Sequence, residues 1–223
     1  MLVARFIDLS HTVEDGMVTY PDLPAPVISA HLSREDSREH YAPGTEFHIG
    51  KIEMVANTGT YLDSPFHRFA GREDLSDLPL SSLANLDGIV ISTDLAQGRA
   101  IEASAFRERD LAGKAVLVNT GWSAHWRTEH YFKGHPFLTQ GAAEYLVAEN
   151  VVLVGIDSLN IDSTANGNRP VHTMLLDNNI PIVEHLTNLE SLPVDGFKFF
   201  AVPVKVRGLG SFPVRAFGIA SEK

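Results

Sequence analysis

The chain contains no cysteine. Disulfides, thiolate zinc sites and a cysteine nucleophile are thereby removed together, and any metal ion has to rest on oxygen and imidazole ligands. Basic residues are also few: 18 Lys and Arg stand against 28 Asp and Glu, for a formal charge of -10. No run of positive side chains is present to neutralise phosphates, which argues against a nucleic-acid partner. No apolar stretch approaches membrane-spanning length, and charge interrupts the opening Leu2-Val3-Ala4-Arg5-Phe6-Ile7-Asp8 too early for the apolar segment of a signal peptide. A cytoplasmic chain without membrane contact is the expectation. Internal repeats, low-complexity tracts and linkers are absent too.

What is present suffices for one core: 223 residues with 44% apolar content read as a single domain over residues 1–223. The pattern predicts strands over Val3–Ser10, Val27–Leu32 and Phe47–Ala56, with a proline-rich ordered loop over Tyr20–Pro26 and a mobile loop over Ser33–Gly44. A short helix is expected over Asp77–Leu86, a β-rich run over Gly88–Thr93, and a helix over Ile101–Leu111 ended by Gly113. Ala115–Asn119 reads as a strand, Thr139 as the cap of a helix over Gln140–Glu149, and Val151–Ile156 as a strand buried on both faces. A helix starting at Pro170 and stopped by Asn178-Asn179 leads to a strand over Ile180–Val183, and two long strands, Phe197–Val206 and Phe212–Ile219, close the chain. Alternating strands and helices give an α/β or α+β domain on a mixed sheet.

The richest stretch runs from Asn57 to His67, where Gly59 sits between two threonines and Asp63 precedes His67 by four residues across Pro65. Each acidic or imidazole group there has a plain structural alternative. Aspartate before Ser-Pro often stabilises a turn, and a histidine near Phe66 and Phe69 is often hydrogen-bonded structure. His172 and Glu184 are no more telling singly. Aromatics and histidines crowd Trp122–Phe137, where most rings read as core and His125, His130 and His135 as solvated.

Together these residues make a pattern. The sequence resembles the cyclase family of metal-dependent hydrolases that includes bacterial kynurenine formamidase and isatin hydrolase. At the family signature His-x-Gly-Thr-His-x-Asp-x-Pro-x-His the corresponding residues here are Asn57, Gly59, Thr60, Tyr61, Asp63, Pro65 and His67. Ile7-Asp8-Leu9-Ser10-His11, Tyr20-Pro21, Thr120-Gly121-Trp122, Gly155-Ile156-Asp157 and the His172 and Glu184 pair extend the likeness over nearly the whole chain.

The resemblance implies a swivelling β/β/α fold around a mixed sheet or barrel-like core, and hydrolysis of a small amide, formamide or lactam. It implies a homodimer or homotetramer as well. Carried over residue by residue, it implies Asp63, His172 and Glu184 as metal ligands, His67 as general acid and base, and Tyr61 as hydrogen-bond donor to a developing oxyanion. Tyr20, Asn57 and Trp122 become candidates for contact with a small-molecule substrate. Asn57 and Tyr61 stand where the first metal site has imidazoles. The implied cofactor is therefore about one divalent ion per chain, zinc or manganese by its ligand chemistry, with the first site absent or loosely filled. His11 and His48 are alternative ligands, and Arg169 and Arg215 are either carboxylate clamps or surface ion pairs. Two rival readings stay open: a metal-independent lactone hydrolase or cyclase, and a binding protein that keeps the fold without turnover.

Overall fold

The apolar runs of the sequence become the parallel centre of a nine-stranded sheet in the computed structural model, which describes residues 4–221. In chain order the elements are β1 (Ala4–Asp8), β2 (Val27–Leu32), α1 (Arg34–Ser37), β3 (Ile49–Glu53), β4 (Tyr61–Asp63), β5 (Leu86–Ser92), β6 (Ala100–Ile101), β7 (Lys114–Asn119) and β8 (Phe137–Leu138). They continue with α2 (Gln140–Ala148), β9 (Leu153–Ile156), α3 (Pro170–Asp177), β10 (Ile182–Glu184), β11 (Phe197–Phe200), β12 (Ser211–Pro213) and β13 (Phe217–Ser221). The large sheet has the order β1-β13-β11-β5-β7-β9-β10-β4-β12, parallel from β5 through β10 and antiparallel on both flanks. Val3, the expected first residue of β1, lies outside the described residues.

Connectivity forces this sheet to curl. The strands β12 and β13 are consecutive in sequence yet seven strand spacings apart in the sheet, which laid flat is roughly 34 Å. The link Val214–Ala216 spans at most about 15 Å between them. The two margins must therefore approach, and they are stitched by His11 N–H to Thr60 Oγ1 at 3.0 Å and Thr187 N–H to Leu9 O at 3.0 Å. Side-chain alternation then sorts two cores. Leu62, Ala115, Leu117, Leu153 and Val183 pack inside the curl, while Val116, Val118, Val154, Ile156 and Ile182 pack against α2 and α3 through Leu146, Val171 and Leu175.

Both sequence-expected helices between β4 and β7 are absent. Over residues 77–86 there is a 3-10 turn, Leu80–Ser82, because Pro79 carries no N–H and Asn85 adopts φ 59°. Over residues 101–111 a 3-10 turn at Ala103–Phe106 ends in extended Arg107 and left-handed Glu108, so the apolar spacing serves to bury Phe106 and Leu111 from an irregular segment. Ser33 caps the short helix α1 within the stretch expected to be a mobile loop. The closing strands are shorter than their apolar runs: β11 stops at Phe200, before Pro203, and the last run divides into β12 and β13 where the chain crosses the seam. His135 is buried rather than solvated, between Pro136 O at 3.0 Å and Thr164 Oγ1 at 3.1 Å. Strands β2 and β3 form a separate hairpin whose residues are exposed, apart from Leu32 at its end. Among the described residues no helix is long and apolar enough to cross a membrane.

Candidate functional site

Strand register assembles the site. In the trio β10-β4-β12, Glu184 lies opposite Tyr61, while Asp63 lies between Ile182 and Ser211. Leu62 points into the curl, so Tyr61 and Asp63 share the opposite face with Glu184, toward α3. Directly opposed residues hold their Cβ atoms about 5 Å apart, which is why these carboxylates meet partners far away in sequence.

Helix α3 supplies His172 in its first turn. Asp162 accepts from the N–H groups of Val171 at 2.8 Å and His172 at 2.9 Å, and its Oδ2 lies 2.7 Å from His172 Nδ1. One carboxylate thus satisfies the helix start and holds the imidazole with its Nε2 left for another ligand, the arrangement that orients metal-binding histidines. That Nε2 is 3.7 Å from Asp63 Oδ2 and 3.5 Å from Glu184 Oε1. Burial by itself lowers His172 basicity, but the hydrogen bond to Asp162 and the nearby carboxylates of Asp63 and Glu184 overcome it and push the pKa up to about 10. Three buried carboxylates with no Lys or Arg hydrogen-bonded to them among the described residues leave this cluster short of positive charge.

His67 enters from the 3-10 turn Pro65–His67 that follows β4. Ser211 Oγ donates to Asp63 Oδ1 and lies 2.9 Å from His67 Nδ1. A serine has a single proton, so with that proton on Asp63 the oxygen accepts from Nδ1–H, and Nε2 keeps its lone pair for proton transfer. The turn fits against β12 only because residue 210 is glycine: a Cβ there would stand 2.5 Å from the backbone N and Cα of His67. Asp63, His67 and His172 can each offer a ligand atom within 4.8 Å of the others.

The donor set suits a divalent cation. Asp63 Oδ2 is buried without a hydrogen-bond partner among the described residues. Four-coordinate bonds of about 2.1 Å separate ligand atoms by about 3.4 Å, close to the spacings around His172 Nε2. Glu184 Oε1 accepts from Ile161 N–H at 2.7 Å and keeps a second lone pair.

On the other side of Glu184 the chemistry is phenolic. Tyr61, 2% exposed, donates its hydroxyl to Glu184 Oε2, and Tyr20 OH lies 3.2 Å from the same oxygen and 2.9 Å from Tyr61 OH. Burial first, then Glu184, drives both phenols well above their ordinary pKa. The hydroxyl of Tyr61, the residue expected as an oxyanion donor, is thus engaged with Glu184. Behind it His185, left-handed at φ 56°, places Nδ1 2.8 Å from Tyr131 OH, and burial holds it well below the imidazole range. His11 stacks on Trp126 at 4.0 Å, and burial lowers its pKa to about 4. Asp157 accepts from Thr120 N–H at 2.9 Å and Thr120 Oγ1 at 2.6 Å, and burial raises it to about 6.

A cavity of about 520 Å³ opens beside His67 and His172. Of the substrate-contact candidates, Trp122 is buried with its indole N–H donated to Tyr131 O at 3.0 Å, Tyr20 belongs to the phenol cluster, and Asn57 is partly buried ahead of β4. None of the three is among the residues lining that cavity. His48 lies beside the exposed hairpin, and Arg215 pairs with Asp8 at 2.7 Å on the surface. Asp162 and Ser211 carry no motif signal in sequence. They are found only through the helix start and the strand register.

Fold and site together define an α/β protein with a buried carboxylate and imidazole centre fit for a divalent cation. The chain belongs to the family described as Putative cyclase, whose model matches residues 7–163. Kynurenine formamidase of Bacillus cereus is 23% identical over 216 residues, 97% of this chain and 98% of that protein. Isatin hydrolase A from Ralstonia solanacearum superposes with a TM-score of 0.83 at 21% identity, over 98% of this chain and 92% of the other. A structure described as a potential metal-dependent hydrolase with cyclase activity does so with a TM-score of 0.80 at 23% identity, over 99% of this chain and 100% of the other.

Proposed function

We propose that the chain is a metal-dependent hydrolase of a small amide, formamide or lactam, acting on a carbon–nitrogen bond other than a peptide bond. The similarity to kynurenine formamidase and isatin hydrolase supports the reaction class. The observation that carries the reading is the orphaned Asp63 Oδ2 beside His172 Nε2, which in turn neighbours Glu184 Oε1.

Asp63, His172 and Glu184 would hold one divalent ion, zinc or manganese. Such an ion, when bound, would polarise the scissile carbonyl and would lower the pKa of a water toward about 7. His67 Nε2 takes the proton of the attacking water as the new carbon–oxygen bond forms. It then returns that proton to the departing nitrogen as the carbon–nitrogen bond breaks. Ser211 and Asp63 hold the ring in the tautomer this exchange needs, and Asp162 does the same for His172.

Metal analysis and turnover of two variants test the assignment. Asp63→Ala is expected to lose both ion and activity, whereas His67→Ala keeps the ion and loses about 10²–10⁴-fold in kcat. Loss of the ion in His67→Ala would make His67 a ligand and sink its proposed role.

Self-association is part of the same proposal. A hairpin exposed on both faces is marginal in water, and β2 and β3 expose Val27, Ile28, Ile49 and Ile52. A partner equally abundant with every folding chain is a second copy. Sedimentation is expected to give a dimer or tetramer that Ile28→Lys with Ile52→Lys dissociates, and a monomeric parent protein refutes this surface.

A further inference from the structure

We propose that the cavity beside His67 selects an anionic substrate, a small non-aromatic amide bearing a carboxylate, gripped by Arg68 and Arg169. The proposal rests on the hydrolase reading and names the substrate class within it. The chain as a whole carries a formal charge of -10, yet Arg68 and Arg169 both line this cavity and no Asp or Glu does. The charged side chains on the lining itself are thus opposite in sign to the global excess, which favours anions at the mouth.

Neither guanidinium is spent on a carboxylate among the described residues. Arg169 commits one terminal nitrogen, NH1, to three carbonyls: Ser163 at 3.2 Å, Asn166 at 2.7 Å and Asn168 at 2.8 Å. That anchors the side chain while its Nε and second terminal nitrogen donate to no protein acceptor among the described residues. Arg68 is exposed and among the described residues gives only its Nε, to Thr173 Oγ1 at 3.1 Å, which leaves its two terminal nitrogens available there. Arg72, nearby in sequence, contrasts with both, pairing with Asp177 at 3.0 Å and Glu73 at 3.3 Å. Two anchored planar forks with open donors are matched to a carboxylate, which takes paired N–H···O bonds.

The remainder of the lining points away from a flat hydrophobic ligand. Asn160, Asn168 and the two imidazoles contribute polar edges, and no Phe, Tyr or Trp ring is among the lining residues. The large rings of Tyr61, Trp122 and Tyr131 are at most 2% exposed and offer no stacking surface.

Calorimetric titration of the full chain with N-formylalanine, N-formylalanine amide and formanilide tests this, with hydrolysis of each followed in parallel. The acid is expected to bind at least about tenfold tighter than its amide, the effect of one charge-assisted hydrogen-bonded pair. Arg68→Gln is expected to bring the two within about twofold, and Arg68→Lys, which keeps the charge without the fork, to fall between. Circular dichroism of both variants establishes that they fold, and the comparison of acid with amide in the parent protein stands without them. Equal binding of acid and amide, tightest binding of formanilide, or no measurable binding of any of the three overturns the proposal. An acid preference without hydrolysis of any of the three upholds anion selection and removes the amide-hydrolase reading, whereas hydrolysis of acid and amide with equal affinity does the reverse.

Discussion

Glu184 divides the centre into two regions that differ in how they treat charge. Its Oε1 looks toward His172 and Asp63, where carboxylates outnumber cations, one oxygen is orphaned and a cavity opens alongside. Its Oε2 is covered by Tyr61 and Tyr20, with His185, Tyr131 and Trp126 packed behind. The first region needs a cation and leaves room for chemistry. In the second, phenol hydroxyls satisfy the carboxylate and neutral imidazoles remain neutral, because burial opposes any charge there. The phenol of Tyr61 therefore closes one half of the centre while the other half stays open.

The severest way to break that contrast is to reopen the closed side. Asn57→His with Tyr61→His withdraws the phenol from Glu184 and supplies imidazoles at the two positions where the signature that the sequence resembles has them. Metal content is expected to rise from about one ion per chain to about two. An unchanged content would mean that Tyr61 does not set the number of ions.

A smaller effect sharpens the contrast from the aromatic side. Asp157 in the folded chain has a pKa of about 6 against an ordinary 3.8, because it is buried. Its stabilising proton is fully present below the unfolded pKa of about 3.8 and is lost as pH rises through about 6. Across that window the group gives up about 3 kcal/mol, the raised pKa converted at about 1.4 kcal/mol per unit. Asp157→Asn keeps an oxygen for Thr120 and never ionises. Its advantage over the parent in chemical unfolding is expected to grow by up to about 3 kcal/mol between about pH 4 and about pH 7. Parallel pH curves for the two proteins would show that Asp157 is not the group responsible.

The sequence exposed the signature bend, the caps of α2 and α3 and the buried parallel strands, since each rests on local chemistry: Thr139 accepts from Ala142 N–H, Pro170 opens α3, and apolar runs fill β7 and β9. The same local reading invented two helices, because apolar spacing over residues 77–86 and 101–111 buries side chains equally well from irregular backbone. Ser211 and Asp162 were illegible for the opposite reason. Neither sits in a motif, and each gains its role from a partner brought close by register or by a helix start, as Ser211 does across β12 and β4.

The sequence by itself determined that any metal would rest on oxygen and imidazole, that one domain would alternate helix and strand, and that positions 57 and 61 carry an asparagine and a tyrosine. Only the tertiary structure decided that Tyr61 covers Glu184, that Ser211 links Asp63 to His67, and that two arginines face a cavity in an acidic protein. The physical reason is the curl. Hydrogen-bond register between strands, fixed when the sheet margins meet at Val214–Ala216, sets which side chains share a face, and register is a property of pairs of segments that no single segment encodes.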